Sequence, residues 1–521
     1  MNVKNILLYV FIYFPTLVLA QKNLTVWGDQ GNGTYVNPIL NSDYSDPDVI
    51  RVKDKYYMVA SDFHYMGIQI LESSDMVNWR LVTKIYDRID FPEYDENLRY
   101  GGGSWAPSIR FHDNKFWVYF CTPHEGLFMT NAENPEGPWS PLLNVENVAG
   151  WEDPCPFWDE DGNAYLGRSK RGAGPIIIHK MSPDGTRLLD DGRTVYTGPI
   201  AEGTKIHKKD GFYYMSIPEG GVAMGWQTVL RSKNIYGPYE KKVVLEKGMT
   251  SVNGPHQGAM VETQNGEWFF FHFQQYEPIG RVVHLQPMHW KDGWPVIGVD
   301  IDMNGIGEPV QVWRKPDLPE AGIETPCTDD EFDGDEIGPQ WQFNHNPTED
   351  GWSFERRKGM ITFFTKHADN FKSARNTLAQ KTVGYKGVAT LKMDFRNIAN
   401  GQRCGLACMG KHNWLIGICR DDNKNKIYME NNGNTVALKP FKGSVVYLRL
   451  EINALDNKYK LCYSSNGRDF HALREEPFSM SCGYWKGVHV GLYGYNVSGD
   501  TGEVSFDSFI YEHDGPVQIK K

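Results

Sequence analysis

The 521-residue chain carries 65 acidic against 54 basic side chains, a formal charge of −11, which argues against nucleic acid or an anionic membrane as partner. Its length suggests two or three domains with ample material for large cores. Aromatic residues make up 13 %, with 16 Trp and 27 Tyr; that abundance suits sheet packing and contact with sugar rings equally, so composition does not choose between them.

Residues 1–20 hold one lysine, Lys4, an apolar run from Ile6 to Leu19, and small residues at Val18 and Ala20. This is the pattern of a cleaved signal peptide. Pro15 interrupts the run, which is short for a membrane span, and Gln21 rather than a lipid-accepting cysteine follows Ala20. Export permits disulfides, yet the eight cysteines show no framework spacing. Buried free thiols are expected, with one disulfide in the C-terminal half as the alternative. No Cys/His spacing suggests a metal site.

From residue 41 onward one plan recurs five times: a polar or aromatic head, an apolar strand, a charged turn and an aromatic strand. The heads are Asp46, Trp105, Asp153, Glu202 and His256, spaced 59, 48, 49 and 54 residues apart. A repeat of roughly 40–60 residues built from short strands predicts propeller blades, hence a five-bladed β-propeller over residues 21–313. The first strand of each blade lines the central axis, so the heads converge on one pocket. The glycine run Gly101-Gly102-Gly103 lacks the strand and helix of a phosphate loop and reads as close backbone packing at the rim of that pocket.

Residues 314–326 contain three prolines and have linker composition. Beyond them the repeat stops. Val446, Leu448, Leu450 and Ile452 alternate with Val445, Tyr447, Arg449 and Glu451, the period of a half-buried strand. Short strands with Gly, Asn and Asp turns fill the remainder, so residues 327–521 are expected to form a concanavalin-like β-sandwich and the chain to be all-β.

Asp46, Asp153 and Glu202 need a chemical explanation, because gathering unpaired carboxylates is costly. Each is followed by Pro or Gly, and any one alone reads as a turn initiator. Three in register on converging blades read as a catalytic set. Glycosidic cleavage needs one acid to protonate the departing oxygen and one carboxylate to activate water or attack carbon. A third, ionised acid beside the donor raises the donor's pKa.

Ser45-Asp46-Pro47-Asp48, Glu152-Asp153-Pro154 and Ala201-Glu202-Gly203, in this order on five repeats, resemble the family 43 glycoside hydrolases. Glu331-Phe332-Asp333-Gly334 and Phe506-Asp507-Ser508-Phe509 resemble the two ends of that family's C-terminal sandwich. The resemblance implies single-displacement inversion with Asp46 as general base, Glu202 as general acid, and Asp153 raising the pKa of Glu202 and orienting it. It also implies Phe63 and Trp105 as aromatic walls, Arg281 as a contact to sugar hydroxyls, and His256 beneath the pocket. In many relatives that histidine meets a hydrated calcium ion, so calcium is a candidate there, though the chemistry requires no cofactor. A second, structural calcium near Glu331 and Asp507 is a further candidate.

The chain departs from the common β-xylosidase pattern of the family. It has Ser61-Asp62-Phe63-His64-Tyr65-Met66-Gly67 for Thr-Phe-Glu-Trp-Phe-Pro-Gly, and Glu152-Asp153-Pro154-Cys155 for Phe-Asp-Pro-Ser. In those xylosidases a sandwich loop pushes an aromatic over the pocket, and here His489 is aligned with that aromatic. These changes favour terminal α-L-arabinofuranosyl units on plant hemicellulose oligosaccharides, with β-D-xylosyl as runner-up. A carbohydrate-binding protein on the same scaffold would lack a catalytic acid, and none is missing. The opening motif of fructan hydrolases is absent, and a large sandwich beside the pocket argues for attack on chain ends rather than an open cleft. Exo cleavage of imported oligosaccharides predicts a periplasmic location, with secretion as the alternative.

Overall fold

A computed structural model describes residues 26–516; the signal peptide expected at residues 1–20 lies outside them. Five four-stranded antiparallel sheets span residues 45–84, 105–146, 151–196, 205–245 and 256–297, each formed from consecutive strands. These are the five blades, and each innermost strand begins at or within three residues of a head identified from the sequence: Ser45–Val52, Trp105–His112, Trp151–Trp158, Lys205–Lys209 and His256–Glu262.

The heads share a local device that the sequence did not show. Asp46, Ala106, Asp153, Gly203 and Gln257 all have positive φ, between 37° and 59°. In four blades the pairing register slips at that point, between Ser45 and Asp48, Trp105 and Ser108, Glu152 and Cys155, and His256 and Gly258. A bulge breaks strict alternation and re-aims a side chain at the strand end. The heads therefore occupy two structural positions. Ser45, Trp105, Glu152, Glu202 and His256 precede the left-handed residue, whereas Asp46 and Asp153 are that residue. Aligning Asp46 and Asp153 directly with Trp105, Glu202 and His256 was off by one.

Among the described residues no strand is exchanged between the first and last blades. The ring closes instead through the Leu40–Val283 bridge and the Arg281–Asp46 ion pair at 2.7 Å. Asp48, the second acid of the first motif, is structural: its Oδ2 accepts from Arg110 at 2.6 Å and from the Ile109 amide at 2.9 Å, tying blade one to blade two.

The expected linker is anchored. Val312–Arg314 pairs with Thr34–Val36 as the outer strand of a small sheet, and Lys315 reaches Asp29 and Asp75, each at 2.6 Å. The C-terminal part is a sandwich of an eight-stranded and a seven-stranded sheet. In Val445–Asn453 the predicted alternation holds, with Val446, Leu448, Leu450 and Ile452 turned into the core. All eight cysteines are free thiols, six of them buried. Asp507 holds the ammonium of Lys392 at 2.6 Å, and Glu331 is exposed. A side-chain cation thus lies beside Asp507, where a second calcium was a candidate.

The two halves are joined by buried charge. Lys486 of the sandwich, 1 % exposed, lies 2.8 Å from Asp43 and donates to the Ser61 carbonyl at 3.0 Å. Lys381 binds Asp62 at 2.8 Å and the side chain of Gln342 at 2.9 Å. Burial pushes Asp43's carboxyl up, but Lys486 and the amide of Arg281 hold it below the usual carboxylate range. Removing one member of such a buried set strands a charge, which costs ~3–5 kcal/mol. Lys486→Met is accordingly expected to lose stability of that order in chemical denaturation, whereas a loss below about 1 kcal/mol, typical of a surface pair, would show that the cluster does not hold the halves together.

Candidate active site

Around the axis the blade heads enclose a cavity of about 340 Å³ lined by Asp46, Asp153, Glu202, Phe63, Trp105 and Arg281, all anticipated, and by Glu152, Arg171, Gln257 and Trp485, which were not. Asp46, 5 % exposed, accepts from Ser61 Oγ at 2.6 Å, Ser45 Oγ at 3.1 Å and Arg281 at 2.7 Å. Every partner donates, the environment a carboxylate requires. Arg281 is itself fixed: its amide donates to Asp43 at 2.9 Å and its guanidinium lies 4.7 Å from the centre of the Phe273 ring.

Across the pocket, ligand oxygens of Glu152, Asp153 and Glu202 lie within 4.8 Å of one another. Unit charges about 4 Å apart repel by roughly 4 kcal/mol even at an effective dielectric of 20, so all three are not ionised together. Burial raises Asp153 too, but it has the best claim to the charge, because the Gly203 amide at 2.7 Å and Ser169 Oγ at 3.1 Å both donate to it and counter that rise. Burial and the neighbouring Asp153 raise Glu202 to about 8, and the same two causes raise Glu152 to about 9. The carboxyl of Glu202 makes no hydrogen bond to a described residue, which leaves its proton available to a ligand. Glu152 accepts the Ala173 amide at 3.1 Å. It holds on blade three the position that Glu202 holds on blade four, a correspondence hidden by the one-residue offset.

Phe63 has φ 51° and pairs with Ser104 in both directions at 3.0 Å. A Cβ on Gly103 would fall 1.7 Å from the Phe63 carbonyl, and one on Gly101 2.7 Å from the Trp485 ring. The glycine run is therefore close backbone packing at the rim, as its composition suggested.

His489 is not the aromatic over the pocket. It is buried, stacked on Tyr65 with centroids 4.1 Å apart, and its Nδ1 meets the Gly487 carbonyl at 3.0 Å. Trp485, four residues earlier, takes that place: its ring lies 5.9 Å from Phe63 and 5.2 Å from Trp105, stacked on the first and edge-on to the second. The expectation that this chain lacks a sandwich-supplied aromatic is therefore corrected.

His256 is fully buried beside Phe273, and neither ring nitrogen has a hydrogen-bond partner. Burial, then the nearby Arg281 and His272, push it down to about 3, so the ring is neutral. One neutral nitrogen without a carboxylate cage suits a water, or the water shell of a cation, better than a directly bound calcium, which takes six to eight oxygens. Among the described residues the only cluster with metal-ligand spacing is Glu152, Asp153 and Glu202.

The sequence description of glycosyl hydrolases family 43 matches residues 35–295, and that of the β-xylosidase C-terminal concanavalin A-like domain matches residues 329–512. The chain belongs to glycosyl hydrolase family 43. It is a glycoside hydrolase. A Xylanibacter ruminicola protein carrying the provisional name β-xylosidase is 53 % identical over 467 residues, 89 % of this chain and 87 % of that one. A Formosa agariphila β-xylosidase is 35 % identical over 563 residues, covering 96 % and 94 % of the two chains. The family 43 protein BlXynB of Bacillus licheniformis superposes with a TM-score of 0.80 at 27 % identity, over 92 % of this chain and 99 % of that one. Among the described residues no helix is long and apolar enough to cross a membrane.

An acid that must carry its proton loses it as the pH rises through its pKa. The kcat/KM profile of this hydrolase is therefore expected to fall on the alkaline side near pH 8. Asp153→Asn removes the neighbouring anion and should move that limb down by about one unit; an unmoved limb would mean that Asp153 does not hold the proton on Glu202.

Proposed function

We propose that this hydrolase removes β-D-xylosyl units from the non-reducing ends of plant hemicellulose oligosaccharides by single displacement with inversion. The observation that carries the reading is Trp485. It walls the pocket from the sandwich side, supplying the aromatic whose supposed absence had favoured arabinofuranose, and makes a blind site for a chain end rather than a through-cleft. The names of the two relatives most similar in sequence among those above point the same way.

In this mechanism Asp46 takes a proton from water, which attacks the anomeric carbon as the glycosidic bond breaks. Glu202 gives its proton to the departing oxygen, and Asp153 keeps that proton in place beforehand. Arg281 fixes Asp46, and Phe63, Trp105 and Trp485 pack on the sugar. His256 would hold a water, or the water shell of calcium, beneath the ring, and no proton moves through it. The signal sequence read over residues 1–20 supports export, and exo cleavage of imported oligosaccharides supports a periplasmic location, with secretion as the alternative.

Terminal α-L-arabinofuranosyl is the second reading. It is supported by a Bacteroides ovatus relative, 27 % identical over 97 % of both chains, that is named a non-reducing end α-L-arabinofuranosidase, and by the Glu152 carboxyl in the pocket wall.

Initial rates on nitrophenyl β-D-xyloside and α-L-arabinofuranoside, with proton NMR of the sugar first released, test the proposal. Xyloside turnover should dominate, α-xylose should appear first, and Glu202→Ala should lose at least about a hundredfold. Dominant arabinoside turnover would move the assignment to the second reading, and β-xylose as first product would refute inversion.

A further inference from the structure

Trp485 reaches the pocket from an unusual turn. Gly483 and Lys486 exchange backbone hydrogen bonds at 2.9 and 3.0 Å, and the two residues between them, Tyr484 and Trp485, have φ of 56° and 65°. Two consecutive positive φ values are the signature of a type I′ turn, whose central positions normally hold Asn-Gly. A bulky residue there is strained, because its Cβ crowds the following carbonyl oxygen. The fold tolerates the pair because Lys486 beside it is locked by Asp43. Strain of this kind concentrates at ligand contacts, and Trp485 accounts for only half of it.

Tyr484 points elsewhere. It is 38 % exposed and stacks on Tyr100 with centroids 4.8 Å apart, next to the glycine rim against which Trp485 packs. Its hydroxyl accepts from Lys372 Nζ at 3.1 Å. Beyond it, on the sandwich wall, opens a second cavity of about 570 Å³ with Phe371 in its lining and Lys411, His412 and Asn432 around it. His412 and Asn432 are linked side chain to side chain at 2.6 Å, and Asn432 is fixed by the Asn413 amide at 2.9 Å. An exposed aromatic face beside ordered amide, imidazole and ammonium groups is the chemistry that recognises a sugar: apolar C–H faces stack and hydroxyls hydrogen-bond. One turn thus presents Trp485 to the catalytic pocket and Tyr484 to a groove adjoining its rim.

We propose that this groove is a second carbohydrate-binding subsite, which holds the oligosaccharide on the leaving-group side of the scissile bond, beyond the sugar next to it. The inference rests on the exo-acting reading above and adds a reason for the sandwich: it grips the chain from which each terminal unit is cut.

Binding of xylobiose and xylohexaose to the Glu202→Ala protein, measured by calorimetry, tests it. Xylohexaose should bind roughly tenfold tighter than xylobiose, as one stacked ring with hydrogen bonds supplies. That gain should vanish in Tyr484→Asn, which keeps a residue tolerant of positive φ, and in His412→Ala/Asn432→Ala, which alters only exposed side chains. Equal affinities for the two ligands, or a length gain that survives both variants, would overturn the proposal. Turnover of nitrophenyl β-D-xyloside by the unaltered enzyme is read separately, so a failure of the substrate assignment is distinguishable from a failure of the groove.

Discussion

The site depends on a buried group of charges between the two halves: Asp43 and Asp62 of the propeller against Lys381 and Lys486 of the sandwich. Four charges out of water are expensive unless each is paired and hydrogen-bonded, and here each is. Asp43 also accepts the Arg281 amide, and Arg281 in turn grips Asp46. Asp62 precedes Phe63, and Lys486 follows Trp485. One electrostatic cluster therefore sets the position of Asp46, of two aromatic walls and of the sandwich itself. The sandwich is part of the pocket rather than an appendage.

A second constraint is backbone strain at the blade heads. Asp46 and Asp153 sit in the left-handed region, which Asp tolerates better than most residues, and the bulge there lets neighbouring side chains face the axis together. That is how Glu152, Asp153 and Glu202, from only two blades, come within 4.8 Å. Crowding in a low-dielectric pocket then does the chemical work, because burial and a fixed anion keep a proton on Glu202 near neutral pH. Fold and reactivity follow from the same repeat.

Much of this was legible in the sequence. Blade heads, the three acids, the glycine rim and the alternating strand at residues 445–453 are local patterns, and local patterns survive without coordinates. What was missed is non-local or offset by a residue or more. The bulge shifts the register by one, so Glu152 appeared as a motif neighbour instead of the counterpart of Glu202. Trp485 was hidden because its stretch has no apolar alternation to fix an alignment. Its place is set by a strained turn and by a lysine whose partner Asp43 lies 443 residues away. The preference for arabinofuranose rested in part on that alignment. Asp62, visible in the sequence only as part of a departure from the xylosidase pattern, is an anchor for Lys381.

The most direct test of this account is the kcat/KM of Trp485→Ala on nitrophenyl β-D-xyloside, with the melting temperature of the same protein as control. If the sandwich completes the sugar pocket, activity should fall by about tenfold or more, as for loss of an aromatic wall, while the melting temperature holds, because Trp485 is half-exposed and the buried charges are untouched. Activity unchanged in a folded protein would contradict the account and return the sandwich to a passive role.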